Sequence, residues 1–232
     1  MLAPSAPASA ASAPVQPFQW PRSTRLSYRL TGNYRGPVDG QGSVEWLHAG
    51  DRYQVHVEVS VGPSFAPLLS RRMSSDGTVG PDGLTPRHYD EETRVVLRAP
   101  RRVAVDFEPA AVRLSTGEVV ARPAGVQDTA SQFVQLTWLF TTQPHKLRVG
   151  SAVEMPLAIS KRLDRWTYDV IGEETLHLPF GEVPTFRLKP RREAAGGDLT
   201  PEIWVAPTLQ YLPVRIRLTD GGGNWVDLML EK

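Results

Sequence analysis

Cysteine is absent from this 232-residue chain, and only four of its 26 basic residues are lysines. The lack of cysteine excludes a disulfide framework, a Cys-ligated metal site, a thiol nucleophile and an acylated cysteine within these residues. No apolar run approaches the ~20 residues that a membrane span requires. The formal net charge is only +1, whereas nucleic-acid binders carry a strong basic excess. We therefore expect neither a nucleic-acid partner nor a membrane span.

Catalytic and cofactor motifs are also missing. The chain contains no G-x-G-x-x-G, no P-loop, no H-E-x-x-H and no G-x-S-x-G pattern. Two pairs, His56 with Glu58 and His88 with Asp90, share strand faces by alternation, but a metal site normally needs three or four ligands. Ser131 follows Asp128 at helical spacing without an evident base or oxyanion hole. We predict no catalytic residue, no metal and no cofactor.

The first 20 residues differ in composition from the remainder. They are rich in Ala, Pro and Ser, a composition that cannot bury a core. We predict a disordered tether over 1–20, as left when an upstream export signal or anchor is removed, with a cytoplasmic disordered tail as the alternative. Residues 21–232 are predicted to form a single mainly-β domain.

Alternation with a period of two dominates the rest of the chain. Residues 51–61 place valines and a tyrosine on one face and polar residues on the other, which is typical of a half-buried antiparallel strand. Similar segments follow to the C-terminus, including one at 94–99. Turn residues separate them, among them Asp39-Gly40, Asp76-Gly77 and Asp82-Gly83. Short connections of this kind predict an antiparallel meander.

One helix is predicted at about 128–142, stopped by Pro144. Its apolar stripe is wide, which indicates a helix that is nearly surrounded. Asp128 or Thr129 can cap it, with capping-box spacing from Thr129 to Gln132, and Gln127 is expected to tie its start to a loop. The predicted fold is a large antiparallel curved sheet, as an open barrel or a two-layer sandwich, wrapped around this central helix.

The segment 202–217 predicts a hairpin with a possible ligand face. Pro207 and Pro213 are expected to end its two strands, and Tyr211 to pack over the turn. Trp204 falls on the same face as the arginines of the second strand, which predicts cation–π contacts with Arg215 or Arg217. The candidate ligand-binding residues are Trp204, Tyr211, Arg215, Arg217, Arg187 and Trp138. The structural motif residues are Gln127, Asp128, Ser131, Pro207 and Pro213.

Several stretches resemble the bacterial family of domain of unknown function 3108. They are Ser75-Asp76-Gly77-Thr78-Val79 with 83–89, the run 125–131, Glu174-Thr175-Leu176 with Gly181 and Thr185, and Trp204-Val205-Ala206-Pro207 continued by 211–217. The resemblance covers about residues 25–231. It implies export to the bacterial cell envelope and implies no known reaction. The predicted architecture also looks similar to that of envelope lipoprotein carriers, a likeness of fold alone.

Together these features favour a non-catalytic periplasmic or cell-envelope protein that binds or scaffolds. We expect a monomer that holds an apolar or anionic envelope ligand, such as a lipid, peptide or glycan fragment, in a concavity of the sheet. Two alternatives remain open at this point. One is an envelope assembly protein that acts through protein–protein contacts, and the other is a hydrolase with an unrecognised site.

Overall fold

The computed structural model describes residues 19–34, 36–191, 199–220 and 222–232; most of the predicted tether lies outside them. Within this part, fifteen strands and one α-helix follow each other along the chain. The strands are β1 Ser23–Asn33, β2 Pro37–Ala49, β3 Arg52–Val61, β4 Leu69–Gly80, β5 Gly83–Val95, β6 Arg101–Phe107, β7 Ala111–Arg113, β8 Val119–Ala121, β9 Gln127–Asp128, β10 Ala152–Ile159, β11 Arg162–Leu178, β12 Gly181–Pro190, β13 Thr200–Ala206, β14 Leu212–Thr219 and β15 Trp225–Leu230. The helix, α1, spans Ser131–Thr142.

The predicted alternation is confirmed, but three strand boundaries are not. Asp39-Gly40 lies inside β2 rather than in a turn, and Asp76-Gly77 marks a register shift inside β4. A glycine next to an irregularity is common within strands because a bulge needs its freedom. The predicted strand at 94–99 is wrong beyond Val95, where the chain leaves the sheet. Apolar β-branched residues there mimic a strand without being buried.

All fifteen strands belong to one sheet with the order β8-β7-β6-β5-β4-β3-β2-β1-β15-β14-β13-β12-β11-β10-β9. Every pairing is antiparallel except that of β9 with β10, which is parallel. The sheet does not close, yet its two ends approach each other: the Ser115 N–H donates to the Ser160 carbonyl over 2.9 Å. Ser115 follows β7 and Ser160 follows β10, so the sheet curves into an open barrel.

Helix α1 explains the curvature. It contacts both β5 and β14, which are six places apart in the sheet order. In a flat sheet six places span roughly 29 Å, whereas a helix is only ~10 Å wide. The sheet must therefore bend around the helix, as the sequence predicts.

The helix lies across one end of the barrel. The Gln135 side chain accepts from the Leu84 N–H (2.8 Å) and donates to the Asp82 carbonyl (3.1 Å), beside the β4–β5 turn. The Thr137 hydroxyl donates to the Tyr211 carbonyl in the β13–β14 turn over 3.1 Å. We call this the plugged end. The opposite end, with the β3–β4 loop (62–68) and the β5–β6 loop (96–100), is called the loop end. The described part of the chain contains no helix with the length and apolarity to cross a membrane.

Candidate functional site

The start of helix α1 is a buried polar clamp, made of Tyr53, Ser75, Asp128 and Ser131. Asp128 is fully buried. One of its oxygens accepts the N–H groups of Ala130 (2.9 Å) and Ser131 (2.8 Å), and the other accepts the Ser75 hydroxyl (2.6 Å). Because Ser75 lies on β4 and Asp128 on β9, ten places apart in the sheet order, the clamp fastens an edge strand across the barrel.

The clamp is closed to solvent. Tyr53 is 2% exposed and its hydroxyl lies 3.0 Å from that of Ser75. Burial raises the pKa of Asp128 to about 6, against the effect of the hydrogen bonds from Ser75, Ser131 and Ala130. Burial, with a smaller contribution from Asp128, also raises the pKa of Tyr53 well above its usual range. With no path for a substrate, these groups are placed to hold the fold together.

The N-cap position of the helix is Ala130 rather than Asp128 or Thr129, although the Asp128 side chain accepts the N–H groups of Ala130 and Ser131 at the helix start. The proposed capping box is one residue too late. The Ser131 hydroxyl accepts the Asp128 N–H over 3.0 Å while Asp128 accepts the Ser131 N–H, which is the reciprocal arrangement of a capping box. Gln132 instead donates to the Thr129 carbonyl. Gln127 donates to Leu84 on β5 and to the carbonyl of Gly125, so it ties the helix start to a strand as well as to a loop.

The hairpin face around Trp204 is covered. Trp204 is 2% exposed, and the register places it between Arg187 of β12 and Arg215 of β14. Both guanidinium groups lie over its ring, 5.1 Å and 4.4 Å from the centroid. The indole N–H donates to Glu174 over 2.6 Å. The expected contact with Arg215 is present, whereas Arg217 lies over Trp225.

Carboxylates occupy the donors of these arginines. Arg187 binds Glu202 at 2.5 Å and Arg215 binds Asp227 at 2.5 Å. Hydrogen bonding to Asp227 raises the pKa of Arg215. An anionic ligand here would have to displace a neighbour that is already in place, so this face is best understood as a stack that covers the sheet.

The other residues predicted around the hairpin are dispersed. Tyr211 packs with the apolar cluster beneath α1, and Trp138 is buried on α1 itself. Pro207 does follow the end of β13, but Pro213 lies inside β14, opposite Val205 at a register shift. A proline is tolerated there because a bulge removes a regular ladder bond. The structure thus joins Arg187, Trp204 and Arg215 and separates the rest.

A polar cleft of about 400 Å³ lies on the outer face of β1–β5. Outward residues of the five strands meet in register: Arg25 is opposite Glu45, Glu45 opposite His56, His56 opposite Ser74 and Ser74 opposite Asp90. A second row contains Ser43, Glu58, Arg72 and Glu92. Directly opposed side chains lie ~5 Å apart, so this face concentrates donors and acceptors.

Part of the cleft is already paired. Arg72 binds Glu58 at 3.0 Å, and the Ser74 hydroxyl donates to Asp90. The side chains of Arg25, Glu45 and His56 form no hydrogen bond or ion pair with any described residue. Four carboxylates and two arginines line the cleft, and one of the carboxylates, Glu92, is also paired with Arg94 and Arg102 just outside the lining. The free groups therefore offer both donors and acceptors, on a surface whose charges nearly balance.

Other candidate residues of the sequence do not assemble into a site. Among the described residues, no three His, Asp or Glu side chains are grouped to hold a metal. His88 pairs with Asp106 at 2.7 Å instead of joining Asp90. The sequence also contains two adjacent arginines at 191–192, in a loop that could present both to an anion. Arg191 binds Asp169 at 2.9 Å, and Arg192 is outside the described residues.

A comparison with protein families identifies the family of this chain. The family described as "Protein of unknown function (DUF3108)" matches residues 27–231, nearly all of the folded part. The chain belongs to this family. No curated protein matches it. The predicted resemblance is confirmed.

Three solved structures resemble this chain to different degrees. A beta-barrel-like protein of domain of unknown function DUF1849 from Brucella abortus superposes with a TM-score of 0.55 at 12% identity, covering 90% of this chain and 95% of that one. A DUF1089 family protein from Pseudomonas aeruginosa gives 0.41 at 10% identity, covering 89% and 95%. A DUF1329 family protein from Desulfovibrio piger gives 0.32 at 10% identity, covering 91% and 84%. Only the first likeness is close enough to describe the fold.

Sequence reasoning missed two parts of the site. Ser75 appears in a family-like motif, but its role in the clamp depends on a residue 53 positions away. The cleft was visible only as separate alternating strands. The sequence feature that could have indicated the cleft is the polar face of residues 51–61. It forms part of a site because the strand register places it beside the polar faces of β2 and β4.

Proposed function

We propose that this protein is a non-catalytic binding or scaffold protein of the bacterial cell envelope, and that it holds a hydroxyl-rich envelope glycan fragment in the cleft on β1–β5. The observation that carries the proposal is the alignment of Arg25, Glu45 and His56 as free polar groups on adjacent strands. A volume of about 400 Å³ falls within the usual range of small-ligand sites. The envelope assignment rests on the family resemblance of the sequence.

The chemistry of the cleft favours a glycan over the other ligands considered for the sequence. Hydroxyl groups donate and accept at once, which suits a surface where carboxylates, an arginine and an imidazole alternate. An anionic ligand would meet Glu45, a carboxylate that has no ion pair with a described residue. An apolar lipid would have to cover charged groups without pairing them, which costs free energy.

The test is NMR titration of the isotope-labelled protein with a short N-acetylglucosamine oligosaccharide. Saturable shifts confined to β1–β5, lost in Glu45→Ala and His56→Ala, are expected. His177→Ala is the matched control, because His177 is exposed and pairs with Glu182 in the distant β11–β12 hairpin. Shifts elsewhere, or none, would refute the glycan site.

The non-catalytic part of the proposal has its own test. Purified protein is incubated with generic esters and with envelope glycans, and products are followed by mass spectrometry. No turnover is expected. Turnover that persists after repeated purification, and that is lost in a cleft variant, would favour the hydrolase alternative.

A further inference from the structure

Two neighbouring loops at the loop end expose large apolar side chains. Phe65 in the β3–β4 loop is 90% exposed, and Leu97 in the β5–β6 loop is 100% exposed. Their neighbours Leu68 and Val96 are 57% and 50% exposed. A monomer rarely gathers such residues at one place without a binding role.

Backbone hydrogen bonds hold the two tips side by side. The Val96 N–H donates to the Leu68 carbonyl over 3.0 Å, which extends the β4–β5 pairing into the loops. A turn hydrogen bond also closes each tip. The Ala66 N–H donates to the Pro63 carbonyl and the Arg98 N–H donates to the Val95 carbonyl, both over 3.0 Å. The tips are therefore preorganised, and little conformational entropy remains to be lost on binding.

Leu97 occupies its tip against local preference. Its φ is 63° at the third position of the turn, where a turn of this type usually takes glycine or asparagine. A non-glycine residue in this region is uncommon and is a reason to look for function. Here a backbone conformation that costs free energy for a leucine places its side chain entirely in solvent.

The two loops themselves carry charge of one sign, and the acidic residue beside them is the exposed Asp39 of β2, whose carbonyl accepts the Gly62 N–H. Residues 62–69 and 95–102 contain no Asp or Glu, and the second stretch contains Arg98, Arg101 and Arg102. Arg102 pairs with Glu92 at 2.7 Å. Arg98 and Arg101 are exposed and form no ion pair with a described residue. Apolar tips with free cations are complementary to an anionic lipid surface, in which acyl chains lie beneath negative headgroups.

We propose that the loop end docks on an anionic lipid bilayer, with Phe65 and Leu97 inserted at the level of the headgroups and with Arg98 and Arg101 bound to phosphates. Pro63, Pro67 and Pro100 stiffen the loops, which keeps the tips projecting. The polar cleft lies on a different surface, the outer face of β1–β5, so the two sites can succeed or fail independently.

The absence of cysteine gives a direct test. Leu97→Cys is labelled with an environment-sensitive fluorophore and mixed with vesicles containing about a quarter anionic lipid. A blue shift is expected, reduced by salt. Phe180→Cys is the matched control: Phe180 is 50% exposed at the plugged end, beside Glu182, and its label should not respond.

Vesicle sedimentation measures the contributions of the two kinds of residue. The Arg98→Gln/Arg101→Gln double variant should bind roughly 25-fold more weakly, since each basic residue near an anionic surface is worth about fivefold. Arg52→Gln/Arg148→Gln removes the same charge from exposed positions at the plugged end and should change affinity little. Phe65→Ser/Leu97→Ser should abolish binding while the circular dichroism spectrum is retained.

Several outcomes would overturn the proposal. No sedimentation with anionic vesicles, or equal binding to purely zwitterionic ones, contradicts it. So does equal weakening by the two arginine pairs. A label at position 97 that responds to an added envelope protein fraction but not to vesicles would assign the loops to a protein partner instead.

Discussion

Phe140 at the plugged end is fully buried, whereas Phe65 at the loop end is 90% exposed. The same contrast holds for polar groups: Asp128 accepts three hydrogen bonds inside the barrel, while Arg98 forms no ion pair with a described residue at the other end. One end of the sheet is fastened by contacts between residues distant in sequence, and the other projects local turns. Stability should therefore depend on the plugged end and association on the loop end.

The largest effect on stability should come from truncating the buried Phe140, compared with the same truncation of the exposed Phe65. Phe140→Ala should lower the free energy of unfolding by about 3–5 kcal/mol, because it leaves a cavity beneath the helix. Phe65→Ala should change it by less than about 0.5 kcal/mol, since no packing is lost. Urea denaturation measures both. Similar losses for the two variants would contradict the distinction between the ends.

Removal of the clamp carboxylate is next in size. Asp128→Ala should cost about 2–4 kcal/mol, because it leaves the Ala130 and Ser131 N–H groups and the Ser75 hydroxyl without their acceptor. Asp51→Ala, at an exposed position in the β2–β3 turn, is the control. Equal denaturation midpoints for these two variants would show that the clamp does not hold the barrel.

The pH dependence of stability tests the buried state of Asp128. Its pKa is raised from 3.8 to about 6 on folding, so the folded state binds the proton more tightly. Stability should then be highest below about pH 4 for this group and fall by on the order of 2 kcal/mol as the pH rises to about 6. Asp128→Asn, which keeps an acceptor and cannot ionise, should lack this slope. Parallel pH profiles for the two proteins would contradict the burial.

The smallest expected effect has the opposite sign. Leu97→Gly should raise the free energy of unfolding by about 0.5 kcal/mol, because glycine adopts a φ of 63° without the Cβ penalty. Leu97→Ala should have no such effect, since alanine keeps the Cβ atom. A destabilised glycine variant would mean that the Leu97 side chain makes contacts that support the fold.

Local sequence patterns predicted much of the fold, but they could not distinguish a buried strand from an exposed turn of similar composition. The valines of β3 alternate into the core as predicted, and the helix was placed within a few residues. By the same criteria Val95, Val96 and Leu97 also read as a strand. Burial, which decides between a strand and an exposed turn, depends on what else packs there, and nothing in a short window records it.

The candidate sites were harder to predict from the sequence than the fold. Trp204 and Arg215 are neighbours through a predicted hairpin, so their stacking could be anticipated. Arg187 reaches the same ring only because β12 pairs with β13. Ser75 and Asp128 meet across ten places of the sheet order. Such contacts depend on sheet curvature, which no single strand specifies.

The sequence by itself determined the class of this protein: alternation fixed the strands, a wide apolar stripe fixed the helix, and motifs distributed over the chain identified the family. The tertiary structure alone decided which polar groups are closed in and which are free. The reason is physical. Alternation depends on neighbours two residues apart, whereas the fate of Asp128, His56 and Leu97 depends on strand register and on the bend of the sheet around α1.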